Sequence, residues 1–94
     1  MVRIFNQQEH EEATSYIANH LRTTNHTWIG LNDLNQEGSW QWEDNEAVTV
    51  SFWNQFEPSG GQSENCALYR HQHSSYTWND YPCDFKFNAL CEKL

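Results

Sequence analysis

EPSGGQSENCALYRHQHSSYTWNDYPC, residues 57–83, is the stretch on which the reading of the chain turns. It sets the carboxylates Glu57, Glu64 and Asp80 and the neutral oxygen donors Ser59, Asn65 and Asn79 around a turn-forming Pro58-Ser59-Gly60-Gly61 run. Oxygen ligands of mixed charge, delivered from loops, are what a hard cation such as calcium takes. Glu57 and Ser59 flank a proline, and a cis bond before Pro58 would aim both side chains at one point. Counting Glu57, Ser59, Glu64, Asn79 and Asp80, with the Asp80 carbonyl, gives about six oxygens of the 6–8 that calcium accepts. Taken singly, each acid reads as a solvated surface carboxylate in an acidic protein; it is the combination with Trp78-Asn79-Asp80, Cys66 and Cys83 that points to an ion site.

Composition sets the outer limits. Ninety-four residues make one small domain, read as covering 1–94. Thirteen acids against five Lys and Arg give a formal charge of −8, which repels nucleic acid and anionic membranes. No run approaches the roughly 20 apolar residues of a membrane span, and Met1 to Glu12 lacks the apolar region of a signal peptide. Three cysteines leave one without an internal partner, free or bonded to another chain or segment. A zinc site on Cys66, Cys83 and Cys91 is disfavoured because no C-x-x-C pair exists.

Outward from the central stretch, Val2 to Phe5 reads as a strand end. Asn6-Gln7-Gln8-Glu9 reads as a capping box, with a helix following to about Leu21 that buries Ala13, Ile17 and Leu21 and has Tyr16 and His20 beside them. Asn25-His26-Thr27 is a glycosylation sequon. Trp28 to Leu31 reads as a buried strand. Trp40 and Trp42 share one face of another, and Asp44-Asn45 makes a turn. Val48, Val50, Phe52 and Trp53 lead into the acidic loop. Trp28, Trp40, Trp42 and Trp53 sit in apolar strand patterns and are assigned to the core. Cys66 to Tyr69 and Phe85 to Leu94 complete the strands, so the fold class is α+β. His71 and His73 could form a zinc pair but lack a third ligand.

In Trp28-Ile29-Gly30-Leu31, Gly38-x-Trp40-x-Trp42, Glu57-Pro58-Ser59, Glu64-Asn65-Cys66, Trp78-Asn79-Asp80, Cys83 and Cys91, taken in order, the chain resembles the C-type lectin-like domains. The resemblance implies short antiparallel strands with long calcium-site loops, and a Cys66–Cys83 disulfide. By the chain-entropy view, closing a loop of this size is worth about 3 kcal/mol. It implies a principal calcium site at Glu57, Ser59, Glu64, Asn79 and Asp80, where Glu57, Ser59, Glu64 and Asn79 also contact sugar hydroxyls. Ser59 departs from the asparagine that usually follows Glu-Pro in sugar-binding members; Glu-Pro goes with mannose-like ligands and Gln-Pro with galactose-like ones. A second ion at Asp33, Glu37, Glu64 and Asn65 is the minority expectation, because another acid of that auxiliary site stands here as Gly60 and a further one as Asn65. Asp33 and Glu37 are otherwise read as solvated turn residues.

The same resemblance implies a domain that starts one strand and one helix late, with a single retained helix and with Cys91 as the free thiol, open to disulfide-linked oligomers. The expected setting is secreted or extracellular, with innate-immune recognition as the usual context. The expected function is calcium-dependent carbohydrate binding, mannose-like before galactose-like, with His71, His73 or Tyr76 against the sugar's apolar face. The rivals are a protein-recognition domain independent of calcium and a glycosidase using Glu57 with Glu64 or Asp80. The second rival is rejected, since the same carboxylates serve better as ion ligands and no deep cleft is indicated.

Overall fold

The helix forms where its cap predicts. In the computed structural model, which describes residues 1–21, 25–72 and 75–91, helix α1 spans Gln7–His20. The Asn6 side chain accepts from the Glu9 amide at 2.8 Å, satisfying one orphan donor of the first turn. The Glu9 carboxylate reaches back one residue further than the usual box, to the Phe5 amide at 2.8 Å. Ala13 and Ile17 are buried, whereas Tyr16 is exposed and rests on His20.

Five strands follow: β1 His26–Asn32, β2 Gln41–Trp42, β3 Cys66–Gln72, β4 Ser75–Tyr81 and β5 Asn88–Ala89. They form one sheet in the order β2-β1-β3-β4, antiparallel throughout, with β5 added in parallel beside β1. The β1–β3 register shifts between Trp28, opposite Leu68, and Asn32, opposite Cys66. That irregularity bends β1 where it hands over to the Asp33 turn. The outer side of β4 is taken by the segment around Trp53: Trp78 donates to the Phe52 carbonyl and Asn54 donates to the Trp78 carbonyl. The acidic loop therefore leaves the sheet directly beside Asn79 and Asp80.

One face of the sheet closes over Ile4, Ala13, Ile17, Ile29, Leu31 and an aromatic centre. Trp78 is fully buried and meets Trp42, Phe52, Trp53 and Tyr69 edge-on, the geometry that ring quadrupoles favour. Removing such a ring costs about 3–5 kcal/mol. Trp40 and Trp53 pack against this core as expected.

Three expectations change. Trp28 lies on the opposite face, half-buried against Phe87, with its Nε1–H donating to the Phe85 carbonyl at 3.1 Å; successive residues alternate sides, and Thr27 and Ile29 take the core side. The final strand is reduced to Asn88–Ala89 among the described residues, because Phe85 and Phe87 turn into a ring cluster with Tyr81 and His26. Residues 92–94 of that expected strand lie outside the described residues. Val2 to Phe5 is not a ladder strand, although Val2 bonds to Leu90 on one side and Gly30 on the other.

Candidate functional site

Asp80 is the hub. Its position on β4 puts it under the acidic loop, 2% exposed, where both carboxylate oxygens accept from the Ser59 amide at 3.0 Å and Oδ2 also accepts from the Gly60 amide at 2.7 Å. Hydrogen bonds to a charged acceptor are worth about 1.5–3 kcal/mol each, so this carboxylate fixes the path of the loop. The Glu57–Pro58 bond is cis, and the flanking side chains do converge: the Ser59 hydroxyl donates to Glu57 Oε1 at 2.6 Å.

Glu64 enters from the other end of the loop, after a single 3-10 turn at Gly61–Ser63. Its side chain folds across Gly60, and a Cβ there would meet Glu64 Oε1 at 2.0 Å. Gly60 is thus a space requirement of Glu64 as that side chain is oriented. Burial pushes the Glu57 carboxyl above its ordinary value, and the neighbouring Asp80 adds to the rise, while the Ser59 hydroxyl partly offsets it. Burial and then the Asp80 charge push Glu64 the same way. Both shifts mark carboxyls drawn partly out of water near a third, Asp80.

Asn79 adds a buried oxygen with no partner among the described residues. It is 7% exposed, and its Oδ1 is buried with no hydrogen-bond donor. An acceptor left so costs on the order of 1–3 kcal/mol unless an ion or water meets it. Beside it, the predicted auxiliary residues are partly joined. Asp33 is 3% exposed rather than solvated, because Oδ2 caps its own turn by accepting from the Gly38 amide at 2.9 Å, while Oδ1 receives no donor. The Asp33 amide donates to the Asn65 carbonyl at 3.0 Å. Glu37 is exposed as expected, and its carboxyl is raised by desolvation, then by Asp33, then by Asp80.

Glu57, Ser59 and Asp80 are therefore bonded together, Glu64 lies over Gly60, and Asn79 precedes the hub. Among the described residues no three Asp, Glu, His or Cys side chains stand close enough to hold an ion as they are oriented. His71 stacks on its cross-strand partner Tyr76, with ring centroids 4.5 Å apart, and Tyr76 leans on the core. The expected His71–His73 pair and the role of His73 lie partly outside the described residues. Cys66 and Cys83 form the disulfide, and Cys91 is a free, exposed thiol. A groove of about 530 Å³ runs between Ile4, Ala13, Tyr16, Leu90 and Cys91 and includes none of the site residues. Size does not locate this site; its charge and orphaned oxygens do.

The profile of the Lectin C-type domain family matches residues 2–93. The chain belongs to the C-type lectin domain family. This lectin domain is 41% identical to C-type lectin domain family 4 member M of Pan troglodytes over 75 residues, 77% of this chain and 16% of that protein. It is 28% identical to a C-type lectin mannose-binding isoform of Notechis scutatus scutatus over 93 residues, 98% of this chain and 59% of the relative. Among solved structures, the C-type lectin domain of murine dendritic cell inhibitory receptor 2, in complex with N-glycan, superposes with a TM-score of 0.76 at 31% identity, covering 95% of this chain and 66% of that one. Human lithostathine superposes at 0.83 with 26% identity, over 93% of this chain and 60% of that one. The chain thus spans less than two thirds of the curated relatives it matches. The family is one of non-enzymatic binding proteins, and membership points to carbohydrate binding in general.

Two features of this lectin domain have no clear local signal in the sequence. Gly60 looked like turn composition, and only the fold of Glu64 gives it a reason. Phe56, just before Glu57, is 86% exposed at φ 69°; a bulky aromatic directly ahead of Glu-Pro-Ser-Gly-Gly was the available signal.

Proposed function

We propose that this chain binds carbohydrate through a calcium ion held by Glu57, Ser59, Glu64, Asn79 and Asp80. The observation that carries the reading is the buried Asn79 Oδ1, an oxygen with no donor, on the residue before the Asp80 carboxylate that holds the acidic loop. Neutral and anionic oxygens presented from a loop and a strand are the donor set of calcium. When bound, calcium would supply coordination to two neighbouring hydroxyls of one sugar ring.

The chain's own groups do the rest. Glu57 and Glu64 accept hydrogen bonds from those hydroxyls, and the Asn79 amide nitrogen donates one. Asp80 holds the Ser59 and Gly60 amides, so it orients the loop. Glu57-Pro58 favours mannose-like ligands over galactose-like ones. One shallow site of this kind binds a single sugar weakly, and strength comes from several copies acting together. Asp33, Glu37, Glu64 and Asn65 are the residues for a second ion, supported by the orphaned Asp33 Oδ1. The Cys66–Cys83 disulfide supports a secreted or extracellular setting, innate-immune recognition being the context the family implies, with Cys91 available for linkage to another chain.

The second reading is protein recognition without calcium. It is favoured by the Ser59 hydroxyl, which spends its hydrogen on Glu57. A calcium titration of the melting temperature separates the two. On the first reading millimolar calcium raises it, chelator reverses the rise, and methyl α-mannoside adds a further rise. A melting temperature indifferent to calcium leaves the second.

A further inference from the structure

Beside the acidic loop lies a shallow groove of about 270 Å³, lined by Asn54, Gln55, Phe56, Gln72, Ser75 and Thr77. It adjoins the candidate site along both segments that form it. Phe56 is followed by Glu57, and Thr77 lies on β4 two residues before Asn79, on the same side of the strand by the pleat. The Asn54 amide, bonded to the Trp78 carbonyl at 2.9 Å, ties the two walls together.

Phe56 occupies the third position of a turn closed by the Glu57 amide donating to the Asn54 carbonyl at 3.0 Å. Its φ of 69° is the value that glycine normally supplies in such a turn. A bulky side chain there is a backbone outlier, and 86% of this one is left in water. Neither property helps the fold. Outliers of this kind gather where a binding surface needs a side chain in a fixed place.

We infer that the groove is a second sugar subsite, in which the Phe56 ring takes the apolar face of the pyranose next to the one held at Glu57 and Asn79. The inference rests on the carbohydrate reading above. The lining has the chemistry for it: the Gln55 side-chain amide, the Asn54 Nδ2 and the Thr77 hydroxyl match a ring of hydroxyls, the Ser75 hydroxyl donates to the Gln72 carbonyl and keeps its lone pairs as acceptors, and one exposed aromatic matches the C–H face. The volume is below the ~300–1,000 Å³ of drug-sized pockets, the scale of one ring rather than a whole glycan. Specificity for linked sugars then comes from a residue outside the ion site.

The test compares methyl α-mannoside with an α-linked mannotriose, and methyl β-galactoside with a β-linked galactotriose, by calorimetry in saturating calcium. The wild type should bind one trisaccharide about tenfold more tightly than its monosaccharide, the order of one good aromatic contact. Phe56→Gly should lose that gain, keep monosaccharide affinity and melt higher, because the turn is relaxed. Phe56→Leu should lose the gain without the stabilisation, and Phe56→Tyr should keep it. Trisaccharide preference that survives both Phe56→Gly and Phe56→Leu overturns the subsite while leaving the ion site standing, as does equal affinity for both ligands. Absence of any monosaccharide binding in calcium overturns the two readings together.

Discussion

Glu57 makes the stability of the site depend on pH. Its raised pKa means that the folded state holds this proton more tightly than the unfolded chain does. The protonated form therefore favours folding at and below the ordinary value of 4.5, and that contribution is lost as pH rises through the folded value. At neutral pH the ionised Glu57 destabilises the metal-free protein. Glu57→Gln should raise the metal-free melting temperature at pH 7, a stabilisation of less than about 1 kcal/mol because the group is only partly buried and solvent screens its charge. The advantage should shrink as the pH approaches 4.5, and the calcium response should fall in the variant at every pH. A variant less stable than wild type at pH 7 without calcium would contradict the electrostatic account. Ser59 works in the other direction, since its hydroxyl already relieves Glu57.

At the scale of elements, α1 and the loop are held by different means. The helix depends on its cap: losing the Asn6 side chain leaves the Glu9 amide without its acceptor. Asn6→Ala should cost about 1 kcal/mol in urea unfolding, with the urea dependence unchanged and calcium response retained. His10 anchors the same helix, stacked on Phe52 at 3.9 Å and joined to the Tyr69 hydroxyl at 2.8 Å. That helix was legible because capping and a four-residue spacing are local. The last strand was not, because Phe85 and Phe87 are strand-forming residues diverted by partners on Tyr81 and His26 that no local pattern names.

Over the whole molecule, the acidic loop is held at three places: the Trp53–Trp78 bridge, the Asp80 carboxylate, and the Cys66–Cys83 disulfide where β3 begins. With a formal charge of −8 the domain repels itself, so these ties work against its own field. Reduction of the disulfide should lower stability by about 3 kcal/mol. Calcium, added to the reduced protein, should recover part of that loss, since ion binding and folding are coupled. Full retention of stability on reduction would show that the hydrogen-bonded ties suffice alone.

The sequence by itself determined the capped helix, the core placement of Trp42 with Trp40 and Trp53 packed against it, the family and the carboxylates that crowd the loop. Those signals are local, periodic or set by the order of motifs. The tertiary structure alone decided that Trp28 faces away from the core, that Asp33 is buried, that Gly60 is required by the Glu64 side chain, and that Phe56 stands exposed beside Glu57. Each of these depends on which residues from distant parts of the chain arrive at the same place, and distance along a chain carries no information about that arrival until the sheet has been paired.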